Sequence, residues 1–270
     1  MSRLPWRLLD EQRTDVQRNL SIEEAIARVN GAKTNGKINT LRFWRSRKAV
    51  VLGRFQCVHK EVNIEYCRTH DVTIARRFTG GGTVFHDEGN LNFSICLDQK
   101  EPYVCKTLNE LYWNFIGSMV YDLQQIGIPA NFDSYRSCIR INGKKITGTA
   151  GWIKQGVSFI HGTLLIDSDL DTLSESLNVP PNQPEYLRDN RRLRCLESKR
   201  DTVTTIRREV ENSPSDGEIK SAIIKTMEKI SESRMRRGKL DDEEVELAES
   251  LYQTRYSQPE WNLGTLALED

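Results

Sequence analysis

The order of its apolar patterns is the feature that most constrains the fold of this 270-residue chain. Before residue 166, short runs rich in Val, Ile, Phe and Trp predominate, and such runs are typical of β-strands. Beyond residue 169, segments such as 221–230 and 243–252 have helical patterns. The predicted strands are 40–45, 49–54, 70–77, 91–97 and 157–166. Strand-rich sequence followed by helix-rich sequence predicts an α+β fold in which a mixed, mostly antiparallel sheet packs with helices.

Turn signals predict which of these strands are neighbours. A charged turn separates the runs 40–45 and 49–54, and this arrangement predicts a hairpin. Asn142-Gly143 predicts a second hairpin within 138–152, because this dipeptide tolerates the positive φ angles of a tight turn.

Two helices also have recognisable ends. Ser21 and Glu24 have the S-x-x-E spacing of a capping box, which predicts that a helix begins at the segment 21–29. Residues 106–127 carry an apolar stripe at helical spacing and end on Gly127, which suits a C-cap.

Composition narrows the classes of function. Lys and Arg number 39 against 38 Asp and Glu, so the net charge of +1 gives no argument for nucleic acid or a membrane as partner. No apolar stretch approaches the roughly 20 residues of a membrane span, and the first twenty residues resemble neither a signal peptide nor a transit peptide. The six cysteines and four histidines lack metal-ligand spacing, so we expect reduced thiols, no zinc site and a cytoplasmic location.

The glycine-rich segment 76–92 carries the strongest chemical signal. Its three consecutive glycines, 80–82, expose backbone N–H groups that can form a nest around phosphate oxygens. Arg76 and Arg77 end the preceding strand, and because neighbours on a strand face opposite ways, only one of them can face the site. The spacing matches neither the dinucleotide fingerprint nor the P-loop.

Two further segments carry chemistry. Lys144 and Lys145 follow the Asn-Gly turn and face opposite ways, so one of them can reach inward, although two exposed turn lysines explain the pattern equally simply. His161 lies in an apolar strand, where either a satisfied core histidine or a catalytic one is possible.

Together, RRFTGGGTVFHDEGNLNFS, NGKKITGTAG and HGTLL, in this order, resemble the lipoate–protein ligase A family of the biotin/lipoate ligase superfamily. The resemblance extends from residues 19–26 through 50–56 to about residue 166, and it resumes weakly at 255–264. It implies a catalytic domain similar to those of biotin ligases and class II aminoacyl-tRNA synthetases. The implied reaction joins lipoate and MgATP to lipoyl-AMP and then transfers the lipoyl group to a lysine of an acceptor domain.

The resemblance also assigns site residues. It makes Lys145 the catalytic lysine that contacts both the carboxylate and the phosphate, and it places Gly53, Arg54 and Gln56 near the lipoyl end. It implies no metal site made by protein ligands alone, since Mg²⁺ arrives with ATP. The substrate and nucleotide contacts that it implies are Arg77, Gly80, Gly81, Gly82, Thr83, Val84, Phe85, His86, Asp87, Asn90, Lys145, Gly148, Ala150 and His161.

Two other functions remain open on this scaffold. Octanoyltransferases use a cysteine thioester and no ATP, and Cys138 is the one thiol close to Lys145 in sequence, at a position where ligases commonly have Asp. A protein that only holds lipoyl domains would explain the scaffold but not an intact glycine loop and lysine.

The resemblance bears finally on domains and partners. We expect a catalytic domain over residues 1–254 and a tail over 255–270 in place of the small accessory domain that such ligases often carry. One interpretation of the short tail is that the accessory domain is a separate subunit. The other is that Trp261 packs the tail onto the core and nothing is missing. The expected acceptors are lipoyl domains of 2-oxoacid dehydrogenase E2 and the glycine cleavage H protein or an H-like carrier. The basic stretch 188–200 is a candidate for meeting them.

Overall fold

The computed structural model describes residues 4–187 and 195–267 and has the expected mixed α+β architecture. The strands are β1 (Trp6–Asp10), β2 (Asn39–Trp44), β3 (Ala49–Leu52), β4 (Thr73–Arg76), β5 (Val84–His86), β6 (Asn90–Asp98), β7 (Asn131–Asp133), β8 (Cys138–Ile141), β9 (Lys144–Lys145), β10 (Thr147–Lys154), β11 (Val157–Leu165), β12 (Tyr186–Leu187), β13 (Met235–Arg237) and β14 (Thr265–Leu266). The α-helices are α1 (Val16–Ala32), α2 (Ile64–Thr69), α3 (Leu108–Leu111), α4 (Ser118–Gln125), α5 (Leu170–Leu177), α6 (Ile206–Glu209), α7 (Asp216–Ser231), α8 (Asp242–Leu251) and α9 (Pro259–Asn262). One 3₁₀ turn (Val58–Lys60) and two π-helical turns (Tyr112–Gly117 and Tyr252–Tyr256) complete the set.

A six-stranded sheet in the order β10-β11-β6-β2-β1-β13 forms the centre of the molecule. Neighbours from β10 to β2 are antiparallel, whereas β1 pairs in parallel with both β2 and β13. Side chains alternate between the two faces of a strand. Phe43 and Ile95 therefore join the core that includes α4 and α7, whereas Trp44 and Cys96 join the core that includes α1 and α8. The prediction of a mixed, mostly antiparallel sheet is confirmed.

Strands β2 and β3 do not form the predicted hairpin. β2 lies in the central sheet, and β3 lies in a separate sheet of order β4-β3-β5, paired in parallel with β4 and antiparallel with β5. Val50 and Leu52 pack into one buried cluster and Ala49 and Val51 into another, so β3 is covered on both faces. A strand buried on both faces is a continuous apolar run, which does not reveal its partners. The hairpin prediction for 40–45 and 49–54 is wrong.

Helix α1 begins five residues before the predicted capping box. Asp15 is its N-cap and accepts a hydrogen bond from the Arg18 amide. Ser21 lies inside the helix and donates to the Arg18 carbonyl, and Glu24 is buried in the interior. The capping-box prediction is wrong because an earlier residue of good capping type takes the position.

The other predicted turn and helix signals are confirmed. The helix over 106–127 begins with a complete capping box at Thr107 and Glu110, and Gly127 beyond its end has a φ of +86°. Asn142 and Gly143 have φ values of +50° and +76°, and they connect β8 to β9. The helical patterns at 221–230 and 243–252 lie within α7 and α8.

The segment 255–267 packs against the rest of the chain. Tyr256 donates a hydrogen bond to Glu24 Oε2 (2.6 Å), Trp261 Nε1 donates to the Arg76 carbonyl (2.8 Å), and β14 pairs with β12. A domain boundary at residue 254 remains a prediction. In the described ranges 4–187 and 195–267, no helix combines the length and the apolar character that crossing a membrane requires.

Candidate active site

Arg77 directly follows β4, and its buried side chain holds the glycine loop in place. Its guanidinium donates to the carbonyls of Val51 (3.1 Å), Gly80 (2.7 Å) and Gly82 (2.7 Å). Burial lowers the pKa of Arg77 to about 10. Gly81, with a φ of +87°, allows the loop to bend around this cation.

Arg76 points to the opposite side, as strand alternation predicts. It is buried and donates to the carbonyls of Gly53 (2.9 Å), Gln56 (2.6 Å) and Trp261 (2.9 Å). The two adjacent arginines therefore stabilise different parts of the molecule.

A buried chain of polar groups supports the loop from α1. His161 Nδ1 lies 2.7 Å from Glu23 Oε2, and His161 Nε2 lies 2.7 Å from Thr79 Oγ1. Burial raises the pKa of Glu23, but His161, Arg42 and the Trp44 indole more than offset this, so its pKa is lowered overall. The ionised carboxylate of Glu23 thus orients His161. His161 in turn holds Thr79, the residue directly before the three glycines.

A pocket lies between the loop and the central sheet, and its empty space, part of which is open to solvent, is about 340 Å³. Leu20, Trp44, Val51 and Val84 give it a largely apolar wall, and Arg77, His161, Gly148 and Ala150 complete much of the rest. His86 and Asn92 also line it. Burial lowers the pKa of His86 to about 3, so its ring is neutral at physiological pH.

Lys145 lies at a larger cleft, of about 1260 Å³, that is open to solvent. Burial lowers its pKa, and Asp201 and the Cys138 thiol oppose that effect. Its backbone is fixed by hydrogen bonds to Thr202 (2.8 Å) and from Thr204 (3.0 Å). Lys144 instead faces outward and pairs with Glu209 (2.9 Å). The opposite facing predicted for the two lysines is what the structure has.

The cavity and the cleft meet. Val84, Gly148 and Thr163 line both of them. A ligand with an apolar tail and an anionic head can therefore place its tail in the cavity and its head beside Lys145.

Residues 196–201 close one side of the cleft. Ser198 Oγ accepts a hydrogen bond from the Thr83 amide (2.8 Å) and donates to Glu61 Oε2 (2.5 Å). Cys195 forms a disulfide with Cys57, so the expectation that all thiols are reduced is wrong for this pair. The two cysteines are 138 residues apart in sequence, and no local spacing signals their approach. Of the basic stretch 188–200, residues 188–194 lie outside the described residues.

The remaining predicted residues fall into two groups. Gln56 lies against the loop: its side-chain oxygen accepts from the Gly53 amide (2.8 Å) and the Thr83 hydroxyl (2.9 Å). Gly53 and Gln56 are buried but are not part of the cavity wall, and Arg54 is exposed. The structure thus does not bring these three together with the cavity.

The second group lies behind the loop. Asp87 accepts from the Asp169 amide (2.7 Å), and Asn90 donates to Asn92 (2.9 Å). Phe85 packs in a buried cluster and also lines the cleft. Over the described part of the chain, no group of three or more His, Cys, Asp or Glu side chains is arranged to hold a metal ion.

Glu23, Glu61, Asn92 and Ser198 are site residues that sequence reasoning missed. The one available signal was for Glu23, because two carboxylates at 23 and 24 interrupt an apolar helical stripe. Glu61 and Ser198 have hydrogen-bond partners in distant parts of the chain.

Comparison with known families and proteins agrees with this architecture. Residues 15–228 match the sequence model of the protein family described as the lipoyl protein ligase A/B catalytic domain. Lipoate-protein ligase A subunit 1 of Thermoplasma acidophilum is 32% identical over 270 residues, which cover 97% of this chain and 97% of that protein. Octanoyltransferase LipM of Brevibacillus brevis is 29% identical over 283 residues, covering 96% and 98% respectively.

Solved structures of lipoate protein ligases are also similar to this chain. A lipoate-protein ligase A bound with ATP has a TM-score of 0.80 and 27% identity, with 97% of this chain and 99% of that chain covered. A T. acidophilum lipoate protein ligase with bound lipoic acid also has a TM-score of 0.80, at 26% identity, covering 97% and 100%. A bi-partite lipoate protein ligase, studied with its E2 lipoyl domain from T. acidophilum, has a TM-score of 0.79 at 29% identity, covering 98% and 99%.

Proposed function

Because this chain belongs to the lipoyl protein ligase A/B catalytic-domain family, we propose that it is an ATP-dependent lipoate–protein ligase. In the first step the lipoate carboxylate attacks the α-phosphorus of MgATP, which forms lipoyl-AMP and releases pyrophosphate. In the second step a lysine amine of an acceptor domain attacks the acyl carbon, which forms an amide and releases AMP. Mg²⁺ accompanies ATP as part of the substrate.

The observation that carries this proposal is the junction of the cavity with the cleft. Acyl-adenylate chemistry needs a place for an apolar tail that opens directly beside a cationic phosphate site. Here Val84, Gly148 and Thr163 lie at that opening, and Lys145 is on the cleft side of it. The loop residues Gly81 to Thr83 line an adjoining part of the cleft together with Lys145.

Lys145 is suited to contact both reacting groups. An ammonium is a compact point charge that can lie between a carboxylate and a phosphate, whereas an arginine fork is matched to one anion at a time. At about 4 Å and an effective dielectric constant of about 20, one such contact contributes about 4 kcal/mol. We therefore assign Lys145 as the catalytic residue.

The remaining contacts follow from the same placement. We propose that the glycine loop 80–83 and Gly148 surround the phosphate, and that Val84, Ala150 and His161 flank the acyl chain. Arg77 and Gln56 make hydrogen bonds to the loop, and we propose that Gly53, Asp87 and Asn90 help to hold the segments around it.

A cysteine-dependent octanoyltransferase is the second candidate, favoured by the similarity to LipM. That mechanism needs an accessible thiolate. Cys138 is fully buried, and burial raises the pKa of its thiol. Among the described residues, the walls of the cavity and of the Lys145 cleft contain no free thiol.

The partners that we propose are lipoyl-acceptor domains, of the 2-oxoacid dehydrogenase E2 and H-protein types, in the cytoplasm. The structural relative from T. acidophilum is a bi-partite ligase, which supports a separate accessory subunit for this chain as well. Lys199 and Arg200 are exposed beside the cleft and suit an acidic acceptor. We keep residues 1–254 as the proposed catalytic domain and 255–270 as its tail.

A paired assay tests the proposed function. The purified chain is given free lipoate and MgATP, and pyrophosphate release is measured. In parallel it is given octanoyl-carrier protein and an acceptor domain without ATP. Pyrophosphate release that depends on lipoate supports the ligase, and transfer without ATP would support the transferase instead. Repeating the first assay with and without a candidate second subunit shows whether that subunit is required.

A further inference from the structure

Residues 195–201, which we call the strap, lie along one side of the cleft, and residues 196–201 line it. The strap is attached to the segment 55–61. Ser198 Oγ donates a hydrogen bond to Glu61 Oε2 (2.5 Å) and accepts one from Gln56 Nε2 (2.9 Å).

A disulfide joins the same two segments at the beginning of the strap. It connects Cys195 with Cys57. Cys57 is buried, whereas Cys195 is partly exposed, so a small thiol can approach the bond from the Cys195 side. Cys195 has a φ of +37°, in the left-handed region that residues with a side chain rarely adopt. Once the disulfide is broken, this residue is free to leave that conformation.

The other end of the strap has attachments that do not depend on the disulfide. Asp201 accepts two hydrogen bonds from the Arg140 guanidinium (2.6 and 3.1 Å), and the Thr202 carbonyl accepts one from the Lys145 amide (2.8 Å). Breaking the disulfide therefore leaves the beginning of the strap to its hydrogen bonds, whereas its end stays fixed beside Lys145.

The strap supplies cations to the cleft and contacts the glycine loop. Lys199 and Arg200 line the cleft. Ser198 Oγ accepts a hydrogen bond from the Thr83 amide (2.8 Å), and a Cβ added at Gly82 would lie 2.9 Å from the same oxygen, so strap and loop are in close contact. Cations attract phosphate groups, and a wall that is already ordered loses less entropy on binding. A strap held in place therefore favours a phosphate-bearing ligand in the cleft.

The location proposed for this protein favours a reversible bond over a permanent one. Thiols in the cytoplasm are kept reduced, and disulfides there are usually transient and redox-sensing. Cys67, Cys96, Cys105 and Cys138 are free thiols in the same structure, so the disulfide is specific to the pair that attaches the strap.

We propose that the disulfide between Cys57 and Cys195 is a redox switch that sets the affinity of the cleft for its nucleotide. In the oxidised protein the strap is held beside the cleft. In the reduced protein the strap leaves this position for part of the time, and nucleotide binding weakens. This inference rests on the proposed function, because it takes ATP as the ligand of the cleft.

The reductant of this switch is a dithiol. One of its thiolates attacks Cys195 Sγ, the sulfur–sulfur bond breaks, and Cys57 leaves as a thiolate that takes up a proton. The second thiol of the reductant then attacks the mixed disulfide and releases the Cys195 thiol. Two electrons and two protons pass to the protein, and the dithiol becomes a cyclic disulfide.

The first test compares the unaltered protein after treatment with oxidised glutathione and after treatment with dithiothreitol, with each reagent removed and folding checked by circular dichroism. If the reduced strap is in place for about a tenth of the time, the apparent dissociation constant for ATP rises about tenfold. Calorimetric titration measures it. Equal affinities for ATP in the two forms would make the disulfide a structural staple and overturn the proposal.

Lipoic acid is the matched ligand for that titration. Among the described residues, the wall of the cavity includes none from the strap. The affinity for lipoic acid in the absence of nucleotide should therefore be the same in both forms. Parallel losses of affinity for ATP and lipoic acid would indicate a general loosening of the protein and would contradict the switch.

The second test removes the disulfide. A double variant, Cys57→Ala with Cys195→Ala, should bind ATP as weakly as the reduced protein and should not respond to dithiothreitol. The control is Cys105→Ser, which removes a partly exposed free thiol and should retain both the tight and the weak state. Mass spectrometry of alkylated peptides must find residues 57 and 195 joined in the oxidised protein. A double variant that still responds to dithiothreitol, or two alkylated cysteines at these positions, would overturn the proposal.

Hydrogen exchange without nucleotide separates this inference from the proposed function. Peptides that contain Thr83 or residues 196–201 should exchange faster in the reduced protein than in the oxidised protein. If neither form binds ATP, the ligase proposal fails, but faster exchange on reduction still supports control of the strap by the disulfide. Unchanged exchange overturns the switch whatever the titrations with ATP show.

Discussion

Arg77 and Lys145 are two cations of the same candidate site, yet their surroundings differ. Arg77 is buried, and its guanidinium is occupied by loop carbonyls and the Thr79 hydroxyl. Lys145 is partly buried at an open cleft, and within the described residues its ammonium makes no hydrogen bond. Arg77 therefore shapes the loop, whereas Lys145 retains its donors for a ligand.

Of these two residues, Lys145 is suited to bind a ligand and Arg77 is suited to support the loop. The resemblance assigns both residues to substrate contact, but the contacts made by Arg77 are those of a structural cation. Its removal should affect folding and activity together. Removal of Lys145 should affect activity alone.

The largest expected effect is that of Lys145→Ala on adenylate formation. Loss of a contact contributing about 4 kcal/mol corresponds to roughly a thousandfold fall in kcat/KM. The melting temperature should stay close to that of the unaltered protein, because the ammonium makes no hydrogen bond to any residue that the structure describes. Pyrophosphate release and thermal unfolding check the two halves of this prediction.

Lys144→Ala is the matched control for that experiment. Lys144 lies on the same short strand but pairs with Glu209 at the surface, so its loss should leave most of the activity. Equal losses of activity in the two variants would show that Lys145 has no special contact.

The second-largest effect is expected for Arg77→Met, which should lower both the stability and the activity of the protein. The carbonyls of Val51, Gly80 and Gly82 lose a charged donor, which costs about 3 kcal/mol of stability. Disorder of the loop should lower kcat/KM by roughly a hundredfold. Denaturant unfolding and pyrophosphate release measure these changes.

Arg76→Met is the control on the neighbouring position. It removes comparable hydrogen bonds to Gly53, Gln56 and Trp261 but leaves the contacts of Arg77 with Gly80 and Gly82 in place. A similar loss of stability with a smaller loss of activity is expected. If Arg76→Met proved the more damaging to activity, the distinction drawn between these two arginines would be wrong.

His86, which lines the cavity, should make the free energy of unfolding depend on pH. The pKa of His86 is about 3 in the folded protein and ordinarily about 6.5. The unfolded chain therefore binds a proton that the folded protein does not, and stability falls as pH drops below 6.5. At pH 5 the deficit is about 2 kcal/mol, from 1.36 kcal/mol per pH unit.

His86→Phe removes this contribution. The free energy of unfolding of the unaltered protein should fall by about 2 kcal/mol more than that of the variant between pH 7 and pH 5. Denaturant titrations at the two pH values measure it. Identical pH dependence would mean that the pKa of His86 is the same in the folded protein as in the unfolded chain.

Cys138→Ser should have the smallest effect on activity. The ligase route has no covalent enzyme intermediate, so kcat/KM should change by no more than about twofold, with a stability cost of about 1 kcal/mol for a buried hydroxyl. Complete loss of activity, together with an acyl-thioester on the unaltered protein in mass spectrometry, would instead favour the transferase.

Local physics allowed much of the fold to be predicted. The positive φ values at Asn142 and Gly143, and the alternation of side chains along a strand, depend on a few consecutive residues. Alternation was enough to predict that Arg76 and Arg77 face opposite ways, as do Lys144 and Lys145. The helix over 106–127 was predictable for the same reason.

What could not be predicted depends on distant partners. The place of β3 in a second sheet is set by its pairing with β4 and β5, which the apolar run itself does not encode. The contacts of Ser198 with Thr83 and Glu61 join segments 115 and 137 residues apart. The roles of Arg77 and Lys145 could be told apart only once the loop carbonyls around one of them were located.

The parallel pairing of β1 with β2 and β13 has a consequence for the order in which the chain is made. Leu8 lies beside Leu41 on one side and Arg237 on the other, and Arg7 pairs with Glu244. At roughly 5–20 residues per second, a ribosome needs about 10–50 s to proceed from Leu8 to Arg237. During that interval β1 presents an unpaired edge that other chains can reach. The newly made protein is therefore most exposed to misassembly before its last quarter has been synthesised.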